Sequence, residues 1–126
     1  MNNVVIIEDE PAARNELTIL LGQAPDFKLV GYAGALAEAR QLIQTTAPDL
    51  VFMDINLYDC TAFDVLNELE TIPPHIIFVT AYNEFAIKAI KYGALDYLLK
   101  PVDEDEFKEA IDRFRSRKED SVAPLR

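Results

Sequence analysis

Four short apolar runs punctuate the chain: Val4-Val5-Ile6-Ile7, Leu50-Val51-Phe52-Met53, Ile76-Ile77-Phe78-Val79 and the weaker Tyr97-Leu98-Leu99. A fifth stretch, Lys28 to Ala33, is more mixed. Their apolarity is continuous rather than alternating and rich in β-branched residues, which suits strands buried on both faces of a parallel sheet. Between them lie segments with helical spacing. Ala13, Leu17, Leu20 and Leu21 form one face; Leu36, Ala39 and Ile43 a second; Phe63, Leu66 and Leu69 a third. Phe85, Ala89 and Tyr92 form a fourth, and Phe107, Ala110, Ile111 and Phe114 a fifth. Pro25, Pro48, Pro73-Pro74, Gly93 and Pro101 fall between these segments, where breakers belong. Five strand–helix repeats joined by right-handed crossovers predict an α/β fold, a doubly wound parallel sheet with helices on both faces. Lys118 to Arg126 lose the periodicity and read as a tail or linker.

Composition narrows the class. The 126 residues leave room for one domain, and 50% hydrophobic residues suffice for a normal core. One Cys and one His argue against a disulfide framework, a multi-cysteine metal site and a His-rich centre. No apolar run approaches a membrane span and Met1-Asn2-Asn3 lacks a cationic leader, so the expectation is a cytoplasmic protein without membrane contact. The net charge of −10 opposes direct nucleic-acid binding by this domain. That charge is lopsided. Residues 1–87 hold thirteen acids and three bases, whereas residues 88–126 hold nine of each, a neutral surface of mixed sign.

Ligands of open α/β sheets gather beyond the carboxyl ends of the strands. There the sequence delivers Glu8, Asp9 and Glu10 after the first strand, Asp54 after the third, Thr80 after the fourth and Lys100-Pro101 after the fifth. The second strand offers only Gly34 and Ala35, which suits a sheet edge. Converging carboxylates repel, by about 4 kcal/mol at ~4 Å and an effective dielectric of 20, and so either raise a pKa or recruit a hard cation. Oxygen donors without thiol or imidazole favour Mg²⁺. A carboxylate nucleophile beside a cation, a lysine and a hydroxyl suits phosphoryl transfer.

These pieces resemble the receiver domain of bacterial two-component response regulators. The match rests on Glu8-Asp9-Glu10-Pro11, Met53-Asp54-Ile55-Asn56, Thr80-Ala81 and Lys100-Pro101. The stretches Ala81 to Ala89 and Ala94 to Pro101 are similar to the LytTR (LytR/AlgR-like) class. The resemblance implies a flavodoxin-like (βα)5 fold in three layers with strand order 2-1-3-4-5, and a receiver over residues 1–117. It implies that Asp54 is the phosphoacceptor, served by a sensor histidine kinase or a small acyl phosphate. Asp9, Asp54 and the Asn56 carbonyl would bind Mg²⁺, with Glu8 acting through water. Lys100 would pair with phosphoryl oxygens, Thr80 and Tyr97 would switch, and Lys100–Pro101 would be cis. The last helices and strand would report the change, usually by homodimerisation, with Lys88, Lys91, Asp96, Asp112 and Arg113 as interface candidates. Such a domain is not an enzyme beyond promoting its own phosphorylation and dephosphorylation. The class normally carries a DNA-binding output domain after the receiver, so residues 118–126 are expected to lead toward one absent here, or else the receiver stands alone.

Two departures from the pattern stand out. The first acid is Glu rather than Asp, and Leu57-Tyr58-Asp59-Cys60-Thr61-Ala62 replaces a loop that usually holds Pro and Gly. Cys60 and His75 read as structural, Asp59 and Asp64 as turn and helix-start acids, and Glu10 as a helix N-terminal acid. Rival functions fit less well. A flavin or dinucleotide site needs a phosphate loop, but the loop after the first strand is acidic and the four glycines form none. An aspartyl-phosphate phosphatase wants an acid where Asn56 stands. The alternative is a receiver-like interaction module acting without phosphorylation. Against it, such a module has no physical need to hold repelling acids together.

Overall fold

Side chains alternate across β1 (Asn2–Ile7), and this alternation divides the molecule into layers. Val4 and Ile6 join one apolar cluster, Val5 and Ile7 another, and all four are wholly buried. The computed structural model describes residues 1–122. Its order is β1, α1 (Pro11–Gly22), β2 (Phe27–Ala33), α2 (Leu36–Thr46), β3 (Leu50–Met53), α3 (Ala62–Asn67), β4 (Ile76–Thr80), α4 (Ala86–Lys91), β5 (Asp96–Leu99) and α5 (Glu104–Val122). All strand pairs are parallel, in the order β2-β1-β3-β4-β5. The mixed strand β2 is indeed an edge.

α1 and α5 cover one sheet face through Leu17, Leu21, Phe107, Ala110, Ile111 and Phe114. α2, α3 and α4 cover the other through Ala39, Ile43, Phe63, Leu66 and Ala89. These are the positions that the helical spacing singled out. α4 ends where Gly93 takes φ +79°, a left-handed conformation that glycine adopts without steric cost.

The last helix runs further than the apolar spacing predicts. α5 continues through residues 118–122, which had read as tail. Lys118 Nζ lies 2.6 Å from Asn2 Oδ1 and 3.5 Å from Asp49 Oδ1, so tertiary contacts anchor a helical turn that lacks apolar periodicity. The rest of the expected tail, residues 123–126, lies outside the described residues. Among the described residues no helix is long and apolar enough to cross a membrane.

Candidate functional site

Parallel register brings the strand ends together at one edge. Ile7 pairs with Met53, Met53 with Phe78, and Thr80 with Leu99. The residues that follow are locked by ladder bonds: Glu8 N donates to Ala33 O at 2.8 Å, Asp54 N to Ile7 O at 2.9 Å, and Lys100 N to Thr80 O at 2.8 Å. Among the described residues, the buried polar or charged ones are Glu8, Asp54 and Thr80, at 1%, 6% and 0% exposure. All three stand at this edge. Burial of polar groups is costly unless they are paired, so their concentration here marks the chemistry.

Lys100 ties the acids together. Its Nζ lies 2.6 Å from Glu8 Oε1, 3.0 Å from Asp54 Oδ2 and 3.3 Å from Glu10 Oε1. Burial works against the ammonium charge, but hydrogen bonds and charges from Glu8 and Asp54 outweigh it and hold the lysine above its ordinary pKa. Glu8 is pushed up to about 7, first by burial and then by the charge of Asp54, with the Lys100 bond opposing. Glu8 Oε2 accepts from Glu10 N at 3.2 Å, and Oε1 faces the Lys100 ammonium at 2.6 Å. Glu8, Glu10 and Asp54 place carboxylate oxygens within 4.8 Å of one another. Three clustered carboxylates, two of them buried, form an all-oxygen donor set that fits a hard divalent cation.

Glu10 and Asp9 take different surroundings. Glu10 is the N-cap of α1, but its side chain caps nothing and reaches Lys100 instead. Asp9 lies outside the three-carboxylate group and borders a groove with Arg14, Tyr32, Gly34 and Tyr58. The chain bends at Asp9, between the two acids that reach Lys100.

Asp54 Oδ1 accepts from Asn56 N at 3.3 Å, which leaves the Asn56 carbonyl uncommitted to that bond. Thr80 Oγ1 accepts from Tyr82 N at 3.5 Å, and the Tyr97 hydroxyl donates to the carbonyl of the same Tyr82. Thr80 and Tyr97 therefore meet at one residue. Tyr97 is half-buried against Phe78, and burial raises its pKa. The Lys100–Pro101 peptide is cis.

The interface candidates are partly engaged within the chain. Asp96 pairs with Arg113, Asp112 lies 2.8 Å from Arg115, and the Lys88 ammonium stands 4.5 Å from the centre of the Phe63 ring. Lys91 is exposed. Sequence reasoning missed Ile87 and Ile90, 74% and 72% exposed on α4, away from its buried Ala89. Their i,i+3 spacing outside the Phe85–Ala89–Tyr92 face could have found them. Cys60 has its thiol pushed up to about 12 by burial and by Asp59, the state of an unreactive structural cysteine. His75 packs edge-on against Phe114, and burial lowers its pKa.

Known proteins agree with this arrangement. Residues 4–112 match the family model described as response regulator receiver domain. The sensory transduction protein LytT of Bacillus cereus is 35% identical over 124 residues, covering 97% of this chain and 50% of that protein. LytT of Enterococcus faecalis is 39% identical over 113 residues, covering 88% and 47%. The chain thus spans about half the length of these curated relatives. Among solved structures, the response regulatory domain of mrkE from Klebsiella pneumoniae matches with a TM-score of 0.85 and 28% identity, covering 94% of this chain and 98% of that one. With the strand order, the buried acids and the matched residues all in accord, the chain belongs to the receiver-domain family of two-component response regulators, of the LytT/LytR type.

Proposed function

We propose that this receiver works as a phosphorylation switch with Asp54 as the acceptor. Receiver domains bind Mg²⁺ at an acidic pocket and work with sensor histidine kinases. The observation that carries the reading is that, among the described residues, the buried polar side chains are Glu8, Asp54 and Thr80, with Lys100 bridging the two acids. An Asp54 carboxylate oxygen attacks the phosphorus of a phosphohistidine or an acyl phosphate. A new O–P bond forms, and the bond from phosphorus to the donor breaks with its electron pair leaving on the donor. Asp9, Asp54 and the Asn56 carbonyl would hold Mg²⁺, with Glu8 and Glu10 adding negative potential. When bound, the ion neutralises charge shared by the acceptor and the phosphoryl oxygens.

Lys100 already touches Asp54, so esterification brings phosphoryl oxygens within its reach and loosens its hold on Glu8. Thr80 offers a hydroxyl held, among the described residues, by the long hydrogen bond from Tyr82 N. Turning that hydroxyl toward the phosphoryl group changes the setting of Tyr82, on which Tyr97 also depends. The shift then reaches the surface of α4, β5 and α5, where Ile87, Ile90 and the 43%-exposed Leu99 lie beside Lys88, Lys91, Asp96, Asp112 and Arg113. Contacts made only after phosphorylation supply the free energy for this population shift. Homodimerisation and control of a transcriptional output domain are the outputs that this surface and the longer relatives support.

The test is intact-mass analysis after incubation with acetyl phosphate and Mg²⁺. The wild-type chain gains one phosphoryl group and Asp54→Asn gains none. Labelling of Asp54→Asn at the wild-type rate overturns the assignment.

A further inference from the structure

The loop after β3 lacks the proline and glycine usual in the family, yet it is tightly held. Leu57 N donates to Cys60 O at 2.9 Å, Asn56 and Thr61 form an antiparallel bridge, and Thr61 and Asp64 exchange capping-box bonds at α3. Among the described residues the one non-glycine with positive φ is Ala47, so this loop has no left-handed position that requires glycine. A further attachment leaves the loop altogether. Asp59 Oδ1 accepts from Leu36 N at 3.0 Å, and Tyr58 N donates to Gly34 O at 3.5 Å. The N-cap of α2 is Ala35, which has no side-chain acceptor, so Asp59 satisfies the helix from 23 positions away.

On its other side Gly34 packs against the segment that follows β1. A Cβ added there would stand 2.9 Å from Asp9 Cα, 3.1 Å from Asp9 Cβ and 3.3 Å from Glu8 O. The turn at Gly34 is thus clamped between the Asp59 loop and the Asp9 segment. One end of this chain of contacts is Asp9. The other is the loop that begins at Asn56, whose N–H bonds Asp54.

We infer that Asp59 and Gly34 are positioning residues for the metal cup, a strap that sets how far Asp9 stands from Asp54 and the Asn56 carbonyl. The inference rests on the Mg²⁺ reading above and adds the parts that preorganise the donors. Mg²⁺ demands near-ideal octahedral geometry at short range, so its affinity depends on how well the spacing of its ligands is held before it arrives. Asp59 acts through its bond from Leu36 N, and its neighbour Tyr58 through the bond to Gly34 O, rather than by ligating the ion. It also accounts for the unusual loop sequence, because a bond to α2 takes over the stiffening that proline would supply.

The experiment is calorimetric titration of Mg²⁺ into the 126-residue chain, wild type, Asp59→Ala, Asp59→Asn and Gly34→Ala, near neutral pH and at fixed ionic strength. Outer-shell partners of metal ligands are typically worth 10–100-fold in affinity, and a strap one contact further out is expected to be worth about fivefold in Asp59→Ala. Asp59→Asn should stay within about twofold of wild type, because its amide oxygen still accepts from Leu36 N although the charge is gone. Gly34→Ala should weaken binding because the new methyl displaces Asp9. Amide exchange at Leu36 reads the strap directly and should quicken in Asp59→Ala alone of the Asp59 pair. Unchanged affinity in Asp59→Ala overturns the inference, and so does an equal loss in Asp59→Ala and Asp59→Asn, which would make charge the cause. If Asp59→Ala fails to fold, unchanged affinity in Gly34→Ala overturns it. Wild-type protein that takes up no Mg²⁺ refutes the metal reading itself and the strap with it.

Discussion

Glu8→Gln isolates the energetic strain of the acidic cup. In the metal-free chain the Glu8 carboxyl is 1% exposed and its pKa is raised from 4.5 to about 7. Between those values the unfolded chain has released a proton that the folded chain keeps. Stability therefore falls as pH rises through the window, and the whole penalty is present above pH 7. A displacement from 4.5 to about 7 at 1.36 kcal/mol per unit corresponds to about 3 kcal/mol. Glutamine keeps an oxygen to accept from Glu10 N but has no charge to lose. Any cost of seating its amide beside Lys100 is the same at every pH and moves the intercept rather than the slope. Urea unfolding in a chelator across the window, with wild type and variant in parallel, reads the effect. Glu8→Gln should gain on wild type by up to about 3 kcal/mol as pH rises past 7. Added Mg²⁺ should reverse the ranking there, because it stabilises the ionised carboxylates that only the wild type retains in full. Parallel curves without Mg²⁺ would show that Glu8 ionises in the folded chain as it does in water, and the argument from burial would fail.

Other expectations are smaller and independent of the cup. Arg115 bonds Asp26 through two nitrogens at 2.9 and 2.7 Å and holds that carboxyl below its usual range, chiefly by the hydrogen bonds. Both groups are well exposed and screened by solvent, so Arg115→Ala should cost about 1 kcal/mol in urea unfolding. Because a depressed carboxyl pKa stabilises only above its unfolded value, the gap between wild type and Arg115→Ala should close below about pH 4. A gap that widens in acid would contradict the ion pair. Ala47 sits at φ 45° and ψ 61° after α2, a conformation that costs an L-residue roughly 1–2 kcal/mol. Ala47→Gly should raise stability by about 0.5–1 kcal/mol after the added unfolded-chain entropy, and a lower urea midpoint would refute the cap argument.

Much of the site was legible because the strands are short and bounded. Asp54 directly follows Leu50-Val51-Phe52-Met53 and lands where the run ends. Lys100 follows β5 in the same way, and Thr80 closes β4. The direction in which each group turns was harder to read. Glu10 beside Pro11 has the look of a helix-start acid, and only the path of Lys100 across the edge shows that it faces the cup. Asp59 had the composition of a turn residue, whereas its partner at Leu36 belongs to another helix. Residues 118–122 lack an apolar stripe, and their helix is held by a lysine that reaches Asn2 and Asp49.

From its sequence alone this protein determined the order of strands and helices, the membership of the two apolar faces and the set of polar groups carried to one edge. Those properties follow from local periodicity and from breakers, each readable within a few residues. Tertiary structure decided which acids share Lys100, which groove Asp9 borders, and how the Asp59 loop meets α2 and Gly34. These depend on side-chain direction and on contacts between residues 23 to 90 positions apart, which no local pattern encodes.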